Sequence, residues 1–436
     1  MIRPVEPGRW TALLSGPAAA KAVTVAVEVA EAVEALPPAD VGPSLCDGAA
    51  GFAVLNAYLA LALDDAAAAE RAETWLRRAM AGLRVRPRAG LFAGVAGVGW
   101  AASHVTRLLG LEAKSLDPTT HINRALLTQL ARSPWCAPFD LVSGLAGYGV
   151  YALECLPTPG ARECLEGVVR QLGELAIHTP EGVTWHTGPE LLRDHQRRQS
   201  PDGHHNLGVA HGVPGVLAVL ALSAAAGVAR PQAAVMASGA VDWLLAQRLD
   251  DTSPSRLPYW LNTDGSTVPA RTAWCYGDAG AAMAVLVAAR ALGVTAWEAE
   301  ATVLARAAAV RAPEDTGVTD AWLCHGSAGL AHVFNRTWQA TGDGQIGEGA
   351  RFWFMRTFDF HEPGGGDFAG YPKPDPWDGD GSSLLTGATG VALALLAAAT
   401  AMPPSWDRTL LASPIFRVGH ELPPATWTSS HLVSLR

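Results

Sequence analysis

The 436-residue chain is 49% hydrophobic and only 17% charged, with a formal net charge of −9 at pH 7. That composition calls for a large buried core, and with no Lys/Arg-rich block it argues against nucleic acid or anionic membrane surfaces as partners. Six cysteines in a chain of this length do not resemble a disulfide framework, and no signal-peptide core follows Met1-Ile2-Arg3-Pro4, so a reducing cytoplasm is expected.

Length alone suggests about three domains, but one unit recurs along the whole chain: a short turn, a G-x-x-G, then an Ala/Val/Leu-rich run. The first copy is Gly48/Gly51, and residues 68–78 after it have the mixed pattern of an amphipathic helix. Gly94/Gly97 and Gly144/Gly147 follow, with Asp140 four residues before Gly144. A non-helical insertion near 178–207 comes next. Residues 181–186 in it read as a strand or extended loop, and His204 and His205, in a polar turn, are expected to face solvent. The fourth copy, Gly212/Gly215, is preceded by His211 and followed by the apolar run Val216-Leu217-Ala218-Val219-Leu220.

A polar insertion near 250–272 precedes the fifth copy, Gly277/Gly280, which is introduced by Trp274-Cys275-Tyr276. Residues 297–311 again read as an amphipathic helix. The sixth copy, Gly326/Gly329, is introduced by Leu323-Cys324-His325. A Gly-, Pro- and Asp-rich insertion near 362–383 leads to the seventh, Gly387/Gly390. Within it, Asp378-Gly379-Asp380-Gly381 lacks the remaining ligands of an EF-hand and reads as a turn-rich loop. The longest uncharged runs, 206–229 and 381–406, carry internal His, Pro, Gly or Thr and are expected to be buried helices with their leading turns, not membrane spans.

The first glycines are spaced by 46, 50, 68, 65, 49 and 61 residues, room for two helices and two connections each time. Weakly polar helices must be buried on all sides, and amphipathic ones on one side. Their alternation predicts an all-α fold: an α/α toroid of seven helical hairpins, with inner and outer rings, spanning residues 1–436 as a single domain. Glycine at the inner helix starts lets neighbouring backbones approach.

In such a ring, residues at one repeat phase face one end of the central cavity. Cys275 and Cys324 both lie two residues before the first glycine; His211, Tyr276, His325 and Asp47 lie one before it. Cys275, Cys324, His325, His211 and Asp140 are therefore expected to converge. Two thiolates and a neutral imidazole suit zinc, with one coordination position left open; two buried structural cysteines and a capping histidine are the plainer reading. His211 is open to three readings: fourth ligand, general acid/base, or hydrogen-bonded core histidine. Asp140 taken alone is a helix cap and Arg271 a surface charge. Cys46, Cys136, Cys155 and Cys164 have no partner motif and are expected to be structural.

At Ala210-His211-Gly212, Trp274-Cys275-Tyr276-Gly277 and Cys324-His325-Gly326, together with the seven G-x-x-G turns, the sequence resembles the lanthipeptide cyclases, the LanC family. The resemblance implies an α/α toroid holding one zinc ion through Cys275, Cys324 and His325. It also implies His211, Asp140, Arg271 and Tyr276 as active-site residues, His211 being the proton-transfer histidine. The implied reaction is intramolecular Michael addition of a peptide cysteine thiol to dehydroalanine or dehydrobutyrine, giving (methyl)lanthionine rings. The implied partners are a dehydrated precursor peptide and a separate dehydratase, since the repeats use up the chain. The alternatives are a LanC-like enzyme that adds glutathione to dehydrated peptides and a non-catalytic peptide-binding scaffold. A zinc-dependent prenyltransferase subunit is expected to include a carboxylate ligand, which this donor set lacks.

Overall fold

The computed structural model describes residues 10–84, 88–111, 119–372 and 381–414. Each of the seven G-x-x-G pairs starts a helix: α2 (Ala49–Leu63), α4 (Val95–Leu109), α6 (Leu145–Glu154), α9 (Val213–Ala225), α11 (Asp278–Leu292), α13 (Ser327–Thr341) and α15 (Ala388–Ala399). Each of these touches the next in this order, and α15 touches α2, so they form a closed inner ring. The outer ring is α1 (Gly16–Glu34), α3 (Ala66–Ala81), α5 (Thr119–Leu130), α7 (Pro159–Leu175), α10 (Arg230–Ala246), α12 (Thr295–Ala309) and α14 (Gly344–Asp359). Six inner helices pack against the outer helix that follows them; α15 packs against α1, so the seventh hairpin joins the two ends of the chain.

Residue pattern explains which helix goes where. In α9 every residue from Val213 to Ala224 is buried, which a helix without a polar face requires. In α7 the buried residues Ala161, Cys164, Leu165, Val168, Val169 and Leu172 fall on one stripe. Each Val or Leu so buried contributes about 1.5–3 kcal/mol relative to exposure, so the two rings are held mainly by apolar contact.

The glycine pairs solve a capping problem. The inner helices lack a side-chain cap, yet their first N–H groups need acceptors. The preceding turn curls back and offers its own carbonyls seven residues earlier: Ala49 N–H to Gly42, Val95 to Arg88, Ala146 to Phe139, Gly280 to Ala273, Ala328 to Ala321 and Ala388 to Gly381. The turn then lies so close that a Cβ on the second glycine of any pair would strike the carbonyl oxygen six residues before it, as at Gly97 against Leu91 or Gly329 against Leu323. Only glycine allows that approach.

The turns are also joined to one another. Cys46 N–H donates to Phe92 O, Phe92 to Val142, Leu141 to Ala210, Ala210 to Cys275, Cys275 to Cys324, Cys324 to Leu385, and Leu384 to Cys46. This circuit of main-chain bonds holds residues of equal phase side by side at one end of the ring.

The first two insertions do not lie apart from one another. After the hairpin β1 (Ile177–Thr179) and β2 (Gly182–Thr184) comes the short helix α8 (Asp194–Gln199). Then β3 (His204–Asn206) pairs antiparallel with β4 (Pro258–Asn262), which pairs with β5 (Thr267–Pro269). The first two insertions thus build one sheet beside the fourth and fifth turns. This overturns the expectation for His204 and His205: His204 is fully buried and stacks on Trp260 at 5.0 Å, and His205 is half-buried against Trp243. Strand pairing, invisible locally, covers them. In the third insertion, residues 373–380, including Asp378, Gly379 and Asp380, lie outside the described residues.

A 3-10 turn, Ser405–Leu410, packs as a plug against α6 and α13. Asp407 meets His332 at 2.8 Å and Arg336, and Arg408 meets Glu154 at 3.2 Å. Trp274 Nε1 donates to Leu410 O at 2.8 Å, linking this plug to the fifth turn. No helix among the described residues is long and apolar enough to cross a membrane.

Candidate metal centre

Cys275 and Cys324 occupy the same position in neighbouring turns, and the Cys275 N–H donates to Cys324 O at 3.2 Å. This places their side chains on adjacent steps of the circuit, with His325 next to the second. One donor atom from each of Cys275, Cys324 and His325 lies within 4.8 Å of the other two. The three thus converge as the shared phase requires.

The electrostatics of the trio favour a cation. A hydrogen bond from the Cys324 thiol, opposed by burial and helped by His325, pushes the Cys275 thiol down to about 5. The same bond, with burial, pushes Cys324 up. The first ionisation is therefore easy and the second opposed. A divalent cation would balance both thiolates, and two sulfurs with one imidazole nitrogen form a donor set of soft-to-borderline character. The hydrogen bond to Cys275, opposed by burial and helped by the Asp320 charge, raises His325. The Asp320 carboxylate stands 3.5 Å from His325 Nε2, and its other oxygen accepts the Trp322 N–H at 2.9 Å. An outer carboxylate on a ligating histidine fixes ring orientation.

His211 lies outside the donor trio. Its Nδ1 is 2.6 Å from Asp140 Oδ2, while Asp140 Oδ1 accepts the Ser143 N–H at 2.7 Å. Asp140 is thus both a turn cap and a histidine partner. The Leu141–Ala210 main-chain bond brings the third and fourth turns together for this purpose. His211 keeps 43% of its side chain exposed, so it faces open space and not a packed core. Burial pulls its pKa down, but the Asp140 hydrogen bond and charge outweigh that and raise it.

Arg271 and Tyr276 join the same wall. Arg271 is not a free surface charge: its Nε donates to Tyr259 OH at 3.1 Å. Tyr259 and Tyr276 meet edge to face at 5.2 Å, and Tyr276 lies 6.3 Å from the His211 ring. The Tyr276 hydroxyl accepts from Asn206 Nδ2 at 3.1 Å. Sequence reasoning missed Asn206, Tyr259 and Asp320. Two of them carried a readable signal: Asn206, Arg271 and Asp320 each lie six residues before the first glycine of consecutive repeats. Cys46 shares the phase of Cys275 and Cys324 but not their setting; burial and nearby Asp47 push its thiol up to about 12, and its sulfur lies 3.2 Å from Ser383 Oγ. None of the six cysteines is in a disulfide; Cys155 and Cys164 are buried, as expected of structural residues, whereas Cys136 is exposed.

A search of curated sequences gives no match. Among solved structures the chain is similar to nisin cyclase, with a TM-score of 0.71 and 17% sequence identity over 89% of this chain and 96% of that chain. An unsaturated glucuronyl hydrolase from Streptococcus agalactiae gives a TM-score of 0.44 at 11% identity over 92% of this chain and 97% of that one, too slight to carry an argument. At 17% identity the first likeness bears on the helical ring alone. The family model for lanthionine synthetase C-like protein matches residues 39–411, a span that contains all seven turns and the donor trio. The chain belongs to the lanthionine synthetase C-like family.

Proposed function

We propose that the protein is a zinc-dependent lanthipeptide cyclase, joining a cysteine thiol to the β-carbon of dehydroalanine or dehydrobutyrine in the same peptide. The observation that carries this reading is the presence, at one end of the ring, of a Cys275–Cys324–His325 donor trio beside a separate, half-buried His211–Asp140 pair. Family membership and the structural neighbour's name, nisin cyclase, support it. Cys275, Cys324 and His325 would hold one zinc ion per chain. When bound, zinc supplies the Lewis acidity that keeps a substrate thiol ionised at neutral pH.

The chain's own residues manage the rest. In the addition the sulfur–carbon bond forms, the Cα–Cβ double bond breaks, and negative charge develops on the neighbouring carbonyl as an enolate. The α-carbon then takes a proton. His211 would deliver it: Asp140 holds Nδ1, which leaves Nε2 for the substrate. Arg271, held by Tyr259, and the Tyr276 phenol line the wall where that charge would form. Nucleophile and acceptor belong to one chain, so the site's main task is to select which pair meets. The peptide must arrive already dehydrated, which calls for a separate dehydratase.

The test is incubation with a dehydrated precursor peptide, thiol alkylation and mass spectrometry. Cyclisation leaves peptide mass unchanged and removes alkylatable thiols. A peptide that keeps all its thiols overturns the reading; a mass gain of one glutathione when glutathione is supplied points to the intermolecular reaction instead.

A further inference from the structure

Behind Tyr276 runs a line of hydrogen bonds whose direction is fixed. Asn206 is 2% exposed, and its Oδ1 accepts the Gly208 N–H at 2.9 Å. A main-chain N–H can only donate, so this bond settles which way the amide faces and turns Nδ2 toward Tyr276 and His204. Nδ2 gives one proton to the Tyr276 hydroxyl at 3.1 Å and the other to His204 Nε2 at 3.3 Å.

His204 is fully buried against Trp260, and burial, helped by neighbouring histidines, pulls its pKa down to about 4. It is therefore neutral at physiological pH and carries a single ring proton. Because Nε2 accepts, that proton sits on Nδ1 and goes to Ser200 Oγ at 3.1 Å. The Ser200 hydroxyl donates onward to Asn262 Oδ1 at 2.6 Å, and the Asn262 amide nitrogen is committed to Ser266 Oγ at 3.0 Å. From Asn206 to Asn262 each proton has one acceptor.

The consequence falls on Tyr276. Its oxygen already accepts from Asn206, and its own proton has no acceptor among the described residues. We propose that Asn206 is a positioning residue which, backed by His204 and Ser200 from the inserted sheet, holds the Tyr276 phenol as a hydrogen-bond donor for the negative charge that develops on the peptide carbonyl. The inference rests on the cyclase reading for that charge, but the hydrogen-bond line itself does not depend on it.

Asn206→Asp separates this role from a packing role. The carboxylate keeps an acceptor for Gly208 N–H and sets a second acceptor before the Tyr276 hydroxyl, drawing the phenol proton away. With metal content and KM unchanged, kcat is expected to fall roughly 10- to 100-fold. The double variant Asn206→Asp/Tyr276→Phe should lose no more than Tyr276→Phe alone. In the peptide-free protein carrying ring-labelled tyrosine, the Tyr276 Cζ resonance, assigned by its absence in Tyr276→Phe, should shift in Asn206→Asp. If the aspartate variant does not fold, Asn206→Ala removes the donor without adding charge and carries the same cycle. Losses that multiply in the double variant, or an unmoved Cζ resonance, overturn the proposal. A wild type that cyclises nothing, together with a shifted resonance, overturns the cyclase reading and the role assigned to the phenol while leaving the hydrogen-bond line standing.

Discussion

The bond between Asp140 and His211 sets when the proposed proton donor is charged. Burial alone would lower the His211 pKa, and the Asp140 carboxylate raises it instead. A donor must hold its proton, so cyclisation should persist below the raised pKa and fall as pH climbs through it. In Asp140→Asn the charge is gone, and the alkaline limb of the kcat–pH profile should move to lower pH; a limb that stays put would mean another group donates. His211→Ala should cost roughly 10²- to 10⁴-fold in kcat, measured by thiol alkylation. At this scale the Cys and His residues were legible because their chemistry is concentrated in a few side-chain types at one phase. Tyr259 and His204 were not, and Asn206 only by its position in the repeat and not by its role: their roles depend on β3 and β4, strands more than 50 residues apart that meet only in three dimensions. Polar residues in a loop look solvated until a sheet closes over them.

Among the elements, the inner helices depend on close contact with their turns and the plug depends on charge. Gly97→Ala would press a methyl group into Leu91 O with no flexible neighbour to yield. It should cost about 1–3 kcal/mol, read as a lower urea midpoint with unchanged slope. In the plug, Asp407 is fully buried between His332 and Arg336. Asp407→Ala leaves the Arg336 charge without its partner and should destabilise by about 3–5 kcal/mol. The exposed Arg170–Glu174 pair on α7 is the contrast: Glu174→Ala should change stability by no more than about 0.5 kcal/mol. Equal effects from the two acidic substitutions would contradict the assignment of the plug as a buried anchor. The helix pattern was readable from hydrophobic spacing; the plug was not, because nothing in residues 405–410 reveals which helices surround them.

In the whole molecule, ring closure needs both chain ends. The family match begins at residue 39, after α1, yet α1 covers α15 with Ala22, Val25, Ala26, Val29, Ala30 and Val33. A protein lacking residues 1–34 should therefore unfold at lower temperature than the full chain; an unchanged melt would show that the ring closes without α1. The sevenfold ring was legible because repeat number and spacing survive without local detail. The composite seventh hairpin was not, since among the described residues no α-helix follows α15 and its partner α1 lies at the other end of the repeat series.

The most direct test of the central claim is elemental analysis of the purified wild type beside Cys275→Ala, Cys324→Ala and His211→Ala. One zinc per chain is predicted in the wild type and in His211→Ala, and loss of zinc in both cysteine variants. A folded, metal-free wild type, or zinc lost from His211→Ala but kept by Cys275→Ala, would contradict the assignment of the trio as a metal centre and of His211 as the residue beside it.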